Sequence, residues 1–254
     1  MSNTKLSITA EFIAIMKSTE DIRYNYFISS KAKKYYNFAK FIFKEKRIEK
    51  VFNERLNLSK RFDEKIKTSK AKQIIELACG YSLRGFELCS NNPHLLYIDV
   101  DFPEVIKYKK NILENICKDK MEKFPKNYHL ISADVLTNEL LPKLLNILSN
   151  KPTLIVAEGL TSYFNQSEYE LFITNIKEIL KTYPKIEFFS HEQISKQKSI
   201  SYKLMRSLIT LITHNRSHQK FNSPSELEKY LKSQNISKYE IKLENNQIFY
   251  SIWK

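Results

Sequence analysis

From residue 73 onward this 254-residue chain alternates short apolar runs with segments of helical length and period, and that alternation limits the fold more than any other feature. The runs are QIIELA at 73–78, HLLYIDV at 94–100, YHLISA at 128–133, TLIVAE at 153–158 and IEFFSH at 186–191. Strands that recur with intervening helices imply βαβ units, and therefore a parallel sheet with right-handed crossovers. Pro103 at a first helical position, and Asn165 followed three residues later by Glu168, mark helix starts between the runs. The chain's end differs. KYEIKL at 238–243, the polar ENNQ and IFYSIWK at 248–254 read as an antiparallel hairpin, which brings the strand count to seven.

Residues 1–70 read as a helical preface, with Phe12, Ile13 and Met16, then Phe38, Phe41 and Ile42, recurring three or four apart. The expected organisation is a helical cap over 1–70 and an α/β domain over 71–254, with a helical insert at about 195–233. No apolar stretch approaches the roughly 20 residues of a membrane span, and residues 1–12 lack the apolar core of a signal peptide. Three cysteines without a CxxC pair suit a reduced, cytoplasmic setting. The net charge of +14 raises the question of nucleic acid, because residues 1–70 alone hold 17 Lys and Arg against 8 Asp and Glu. Only seven of the basic residues are Arg, however, and the abundance of Lys, Asn, Ile, Tyr and Phe reads as compositional bias.

The three glycines lie in two segments, IIELACGYSLRG at 74–85 and LIVAEGL at 154–160. In so glycine-poor a chain they are expected where the backbone needs positive φ or a close approach. An apolar strand ending in a glycine turn, then a helix, then a strand ending in an acid is how α/β folds hold an adenosine-bearing cofactor. Asp99 and Asp101 stand 19 and 21 residues beyond Gly80, the spacing at which a carboxylate accepts from both ribose hydroxyls. The first segment lacks GxGxxG, which disfavours a pyrophosphate and favours a cofactor with ribose and adenine but no phosphates. Strand periodicity puts both acids on one face and leaves the choice between them open.

ELACG at 76–80, YIDVDFPEVIKYKKNIL from Tyr97, SADVL from Ser132 and VAEGLTSYF from Val156 together resemble the leucine carboxyl methyltransferase and polyketide O-methyltransferase-like group of class I methyltransferases. The resemblance implies the seven-stranded Rossmann-like sheet with an antiparallel last strand, S-adenosylmethionine as cofactor, and O-methylation of a carboxylate or hydroxyl on a small-molecule or peptide acceptor. It implies contacts to the cofactor from Gly80 at the methionine end, Asp101 at the ribose, Asp134 and Val135 at the adenine, and Glu158 at the ammonium group or the positive charge around it. Arg55 matches loosely the basic residue that holds the methionine carboxylate, with Arg61 as its rival. Asp101 and Asp134 also read as helix or turn caps, and Gly85 as a packing position.

Tyr163 and His191, expected over the carboxyl edge of the sheet, are the candidates for orienting the acceptor or taking its proton. His214 and His218 stand four apart without a third ligand, so no metal site is expected. Ala78 replaces the family's first glycine, which leaves catalytic competence open. Two other readings therefore stand beside the first: a nucleic-acid methyltransferase, and a cofactor-binding protein without catalysis.

Overall fold

A computed structural model describes residues 4–30, 32–34, 36–37, 45–194 and 218–254. The expected positions Phe38, Phe41, Ile42 and His214, and residues 195–217 of the expected insert, lie outside the described residues.

All seven expected strands are present: β1 (Gln73–Leu77), β2 (Leu96–Asp101), β3 (Tyr128–Ser132), β4 (Thr153–Ala157), β5 (Ile186–Gln193), β6 (Tyr239–Glu244) and β7 (Gln247–Trp253). They form one sheet in the order β3-β2-β1-β4-β5-β7-β6. The first five run parallel, and β7 pairs antiparallel with both β5 and β6. The helices are α1 (Thr4–Lys17), α2 (Glu45–Thr68), α3 (Arg84–Asn91), α4 (Pro103–Lys120), α5 (Leu140–Leu145), α6 (Gln166–Thr182) and α7 (Pro224–Ser233), with 3₁₀ turns at Ile22–Phe27 and Thr161–Tyr163.

Two of the expected helix starts have their chemistry in place. Pro103 opens α4, where its missing N–H costs nothing. Asn165 and Glu168 form a reciprocal capping box at α6, satisfying two orphan N–H groups at once. Among the described residues no helix is long and apolar enough to cross a membrane, and Cys79, Cys89 and Cys117 are free and buried.

The central parallel strands β1, β2, β4 and β5 are buried on both faces, as helices on either side of a sheet require, while the edge strand β3 is half-buried. One face is apolar. Ile75, Leu77, Ile98, Val100, Ile155 and Phe188 pack there against Phe172, Ile176 and Leu227 of α6 and α7. The opposite face carries Ile74, Tyr97, Tyr128, Leu154, Val156 and Phe189, and meets α3, α4 and the preface. Leu58, Phe62 and Ile66, one turn apart along α2, belong to that second core, and the Phe62 ring lies 5.0 Å from Phe189. The preface is thereby packed onto the sheet as its outer layer.

Gly85 explains why α3 can lie so close. A Cβ placed there would come within 2.5 Å of the Tyr97 ring and 2.7 Å of Tyr128, and both rings are held by hydroxyl bonds to Glu76 and Asp99. Two substitutions test this stretch of backbone by urea unfolding. Gly85→Ala is expected to cost about 1–3 kcal/mol by overpacking. Ala78 sits at φ 54 in the left-handed region, so Ala78→Gly is expected to relieve strain and leave stability equal or higher by about 0.5 kcal/mol. A neutral Gly85→Ala, or a clearly destabilising Ala78→Gly, contradicts this account.

Candidate active site

The chain order β1-β2-β3 runs outward on one side of β1, and β4 and β5 lie on the other side, so the sheet's switch point falls between β1 and β4. In open parallel sheets the crevice beyond the carboxyl ends at that point is where ligands bind. Both glycine segments end there. Leu77 closes β1 and leads into a turn in which Ala78 and Gly80 both have positive φ, 54 and 51. Ala157 closes β4 and leads through Glu158 to Gly159, at φ 73 and with open space where a Cβ would stand.

Asp101, the last residue of β2, is fastened to the glycine turn. Its Oδ2 accepts from the Gly80 N–H at 2.7 Å and its Oδ1 from the Phe102 N–H at 2.8 Å. Burial pushes this carboxyl up, while the two backbone N–H groups oppose the shift. Asp99 has a different fate. It is fully buried, pairs with Lys109 at 2.6 Å and accepts from the Tyr128 hydroxyl. Here too burial raises the carboxyl's pKa and the Lys109 ammonium opposes it. The two acids that periodicity places on one face thus have different partners: Lys109 of α4 pairs with Asp99, and Asp101 is bonded to the glycine turn.

Asp134, two residues past β3, caps its own turn, its Oδ1 accepting from the Leu136 N–H at 2.9 Å. The Val135 carbonyl beside it accepts from Asn175 Nδ2 at 2.9 Å. Because the Ala133 N–H donates to the Asp101 carbonyl, Asp134 and Asp101 end adjacent strands side by side.

Glu158 is partly buried, its side chain 19% exposed, and its Oε2 accepts from Arg84 Nη2 at 2.7 Å, with Ser59 Oγ at 3.5 Å. Burial alone would raise its pKa, but Arg84, with Lys17 adding to it, holds the carboxyl below its ordinary value. Arg84 is the residue that sequence reasoning passed over. Its guanidinium also bonds Glu76 Oε1 at 2.8 Å, Ser59 Oγ at 3.1 Å and Asp63, and its side chain is only 6% exposed. The available signal was Glu76, an acid inside an otherwise apolar strand, which had to find a cation.

Arg55 stands on α2 one turn before Ser59, half-buried, and its charge acts on His191. Its rival Arg61 is spent elsewhere: it pairs with Glu64 and Glu244 in an open cleft between α2 and the β6–β7 hairpin. Tyr163 ends the 3₁₀ turn after Gly159 and is half-buried. The backbone N–H of His218 donates to the Ser162 carbonyl at 2.7 Å, and no cluster of three potential metal ligands occurs among the described residues.

His191 lies on the site's face of β5, its ring 5.7 Å from Phe62 and 6.0 Å from Phe249, with its buried Nδ1 lacking a hydrogen-bond partner. Burial, reinforced by Arg55 and opposed by Glu158, takes its pKa down to about 3. A histidine so placed is neutral at pH 7 and a weak base. Proton removal by His191 is therefore disfavoured.

The sheet order with its antiparallel β7 and the site at the β1–β4 switch point define a class I methyltransferase fold. The leucine carboxyl methyltransferase family profile matches residues 20–177, more than half of the chain, and the protein belongs to that family. It is similar to the tetracenomycin polyketide synthesis O-methyltransferase TcmP of Streptomyces glaucescens, 30% identical over 112 residues, or 43% of this chain and 36% of that protein. It is also similar to the S-adenosyl-L-methionine-dependent methyltransferase dpfgK of Gibberella zeae, 32% identical over 95 residues, or 37% of this chain and 30% of that protein. The similarity thus spans about a third of these relatives' lengths. An O-methyltransferase family protein from Burkholderia thailandensis shares the fold at a TM-score of 0.52, with 11% identity over 83% of this chain and 60% of that one. PigF, solved with SAH, does so at 0.54, with 12% identity over 74% and 52%.

The depressed pKa of His191 fixes the sign of a pH effect. Between the unfolded value near 6.5 and about 3, the unfolded chain binds a proton that the folded chain refuses, so stability falls as pH drops. From pH 7.5 to 5 this group is expected to account for a loss on the order of 2 kcal/mol, which His191→Phe removes. Urea unfolding of both proteins at the two pH values measures it, and equal losses contradict it.

Proposed function

We propose that the protein is an S-adenosylmethionine-dependent O-methyltransferase whose acceptor is a carboxylate or hydroxyl on a small molecule or peptide. The observation that carries this reading is the donor set at the switch point. Three carboxylates, Asp101, Asp134 and Glu158, stand at or just beyond the ends of β2, β3 and β4, and the Arg84 guanidinium is neutralised by Glu76, Glu158 and Asp63. Such a site repels a pyrophosphate and suits a cationic ligand bearing hydroxyls and an amino group. Asp101 would hold the ribose, Asp134 and Val135 the adenine, Glu158 the ammonium group, Gly80 the backbone approach and Arg55 the methionine carboxylate.

When bound, S-adenosylmethionine supplies a methyl group activated on a sulfonium. What the chain then contributes is chiefly alignment of the acceptor, because an in-line displacement gains most from positioning. A carboxylate acceptor has no proton to lose, which agrees with a neutral His191 and leaves Tyr163 and His191 to orient it. Two observations weigh against the other readings. Ala78 adopts a positive φ, the conformation a glycine takes freely, so the turn forms despite the departure that raised the question of inactivity. Several basic residues of the preface are paired with carboxylates, Lys60 with Glu20, Arg61 with Glu244 and Lys65 with Glu187, which weakens the case for a nucleic-acid surface.

Calorimetry with S-adenosylhomocysteine, the demethylated product, is expected to give saturable binding that Asp101→Ala and Glu158→Ala each weaken by about 10- to 100-fold. Methyl transfer from labelled cofactor to a panel of carboxylic acids, phenols and an oligonucleotide separates the acceptor classes. No binding of the product, or transfer to the oligonucleotide alone, overturns the proposal.

A further inference from the structure

Arg84 is the most heavily bonded side chain of the site, and its position excludes the simplest role for it. An arginine at the mouth of the helix after the glycine turn invites assignment as the clamp for the cofactor's carboxylate. Yet Nε is taken by Asp63, Nη1 by Glu76 and Nη2 by Glu158 and Ser59, and the side chain is almost wholly buried. No edge of the planar fork is left for a ligand. Its partners come from α2, β1 and the exit of β4, so one guanidinium ties three separate elements to the start of α3. Both Arg84 and Ser59 reach the same oxygen of Glu158, Oε2. Oε1 is not part of that clamp.

We infer that Arg84 is a positioning residue, which fixes the Glu158 carboxylate so that the oxygen outside the clamp receives the cofactor's ammonium group. The inference rests on the role given to Glu158 under the proposed function. A partly buried carboxylate without a cation would lie protonated over a wider range and would rotate freely about its last bond. Arg84 prevents both, and its fork is itself held in place by Glu76, whose second oxygen accepts from the Tyr97 hydroxyl at 2.6 Å. The ligand never touches Arg84, and its effect passes through one carboxylate.

The test compares two ligands in direct binding assays: S-adenosylhomocysteine, which carries the ammonium and carboxylate groups, and 5′-methylthioadenosine, which lacks both, with Glu158→Gln separating the ammonium contact from the carboxylate contact. Arg84→Lys, which preserves the charge but not the fork, is expected to weaken S-adenosylhomocysteine about tenfold and to change 5′-methylthioadenosine less than about twofold. Arg84→Gln is expected to make S-adenosylhomocysteine affinity fall as pH drops from about 8 to 5.5, where the wild type stays flat, because Glu158 then titrates upward. Glu158→Gln should abolish the selective effect, so that Arg84→Lys on that background adds nothing.

Ser59→Ala is a milder variant for use if Arg84→Gln does not fold, with a smaller loss of the same selectivity expected. Equal weakening of both ligands, or unchanged affinity for both in a folded Arg84→Lys protein, overturns the positioning role and leaves Arg84 a structural residue. If the wild type binds neither ligand, the proposed function fails and the inference falls with it.

Discussion

One buried guanidinium is shared among carboxylates from three parts of the chain, and the end of the sheet that forms the site is organised around it. Glu76 is an acid in the central strand, where an unpaired charge would cost several kcal/mol, so β1 is tolerable only because Arg84 reaches back to it from α3. The same fork holds Glu158 at the exit of β4 and Asp63 on α2. The buried Arg84–Glu76 pair contributes little net stability, since desolvation offsets its attraction, and the pair with the half-exposed Asp63 contributes little because water screens it. What they do contribute is specificity: α2, α3 and β4 meet in the one arrangement that leaves no partner of Arg84 uncompensated.

That polar cluster belongs to only one of the sheet's two faces. The face beneath α6 and α7 is filled by aliphatic and aromatic side chains and serves as the mechanical core. The face beneath the preface carries Glu76, Asp99, Asp101, Glu158 and His191, mixed with aromatic rings. Period-two alternation along the strands therefore separates the work, with hydrophobic burial supplied on one side and chemistry held on the other. The preface matters to the site because it covers that second face: Ser59 and Phe62 of α2 touch Glu158 and His191, and Ala10 of α1 lies against the Gly80 turn.

The five parallel strands were legible because each is a short apolar run between helical segments, and the last two because alternation around a polar turn marks a hairpin. The glycine turn was legible for a similar reason, since positive φ and close approach leave few residue types to choose from. Strand periodicity did not separate Asp99 from Asp101, although the family resemblance pointed to Asp101. Lys109 lies eight or more residues beyond either acid, and only the docking of α4 shows which one it claims. His191 was visible as a strand-end histidine, but not its loss of basicity, which comes from Phe62 and Phe249, residues far from it in the chain.

The sequence by itself determined the α/β class, the seven strands, the chain's family and the segments that gather at the carboxyl edge of the sheet, because these follow from local periodicity and short motifs. Tertiary structure alone decided which charged groups neutralise one another. Arg84 is one unremarked residue in SLRG until α2, β1 and β4 converge on it, and nothing near Arg61 in the chain announces its pairing with Glu244. Ion pairing depends on distance through space and on burial. Neither is written in sequence separation.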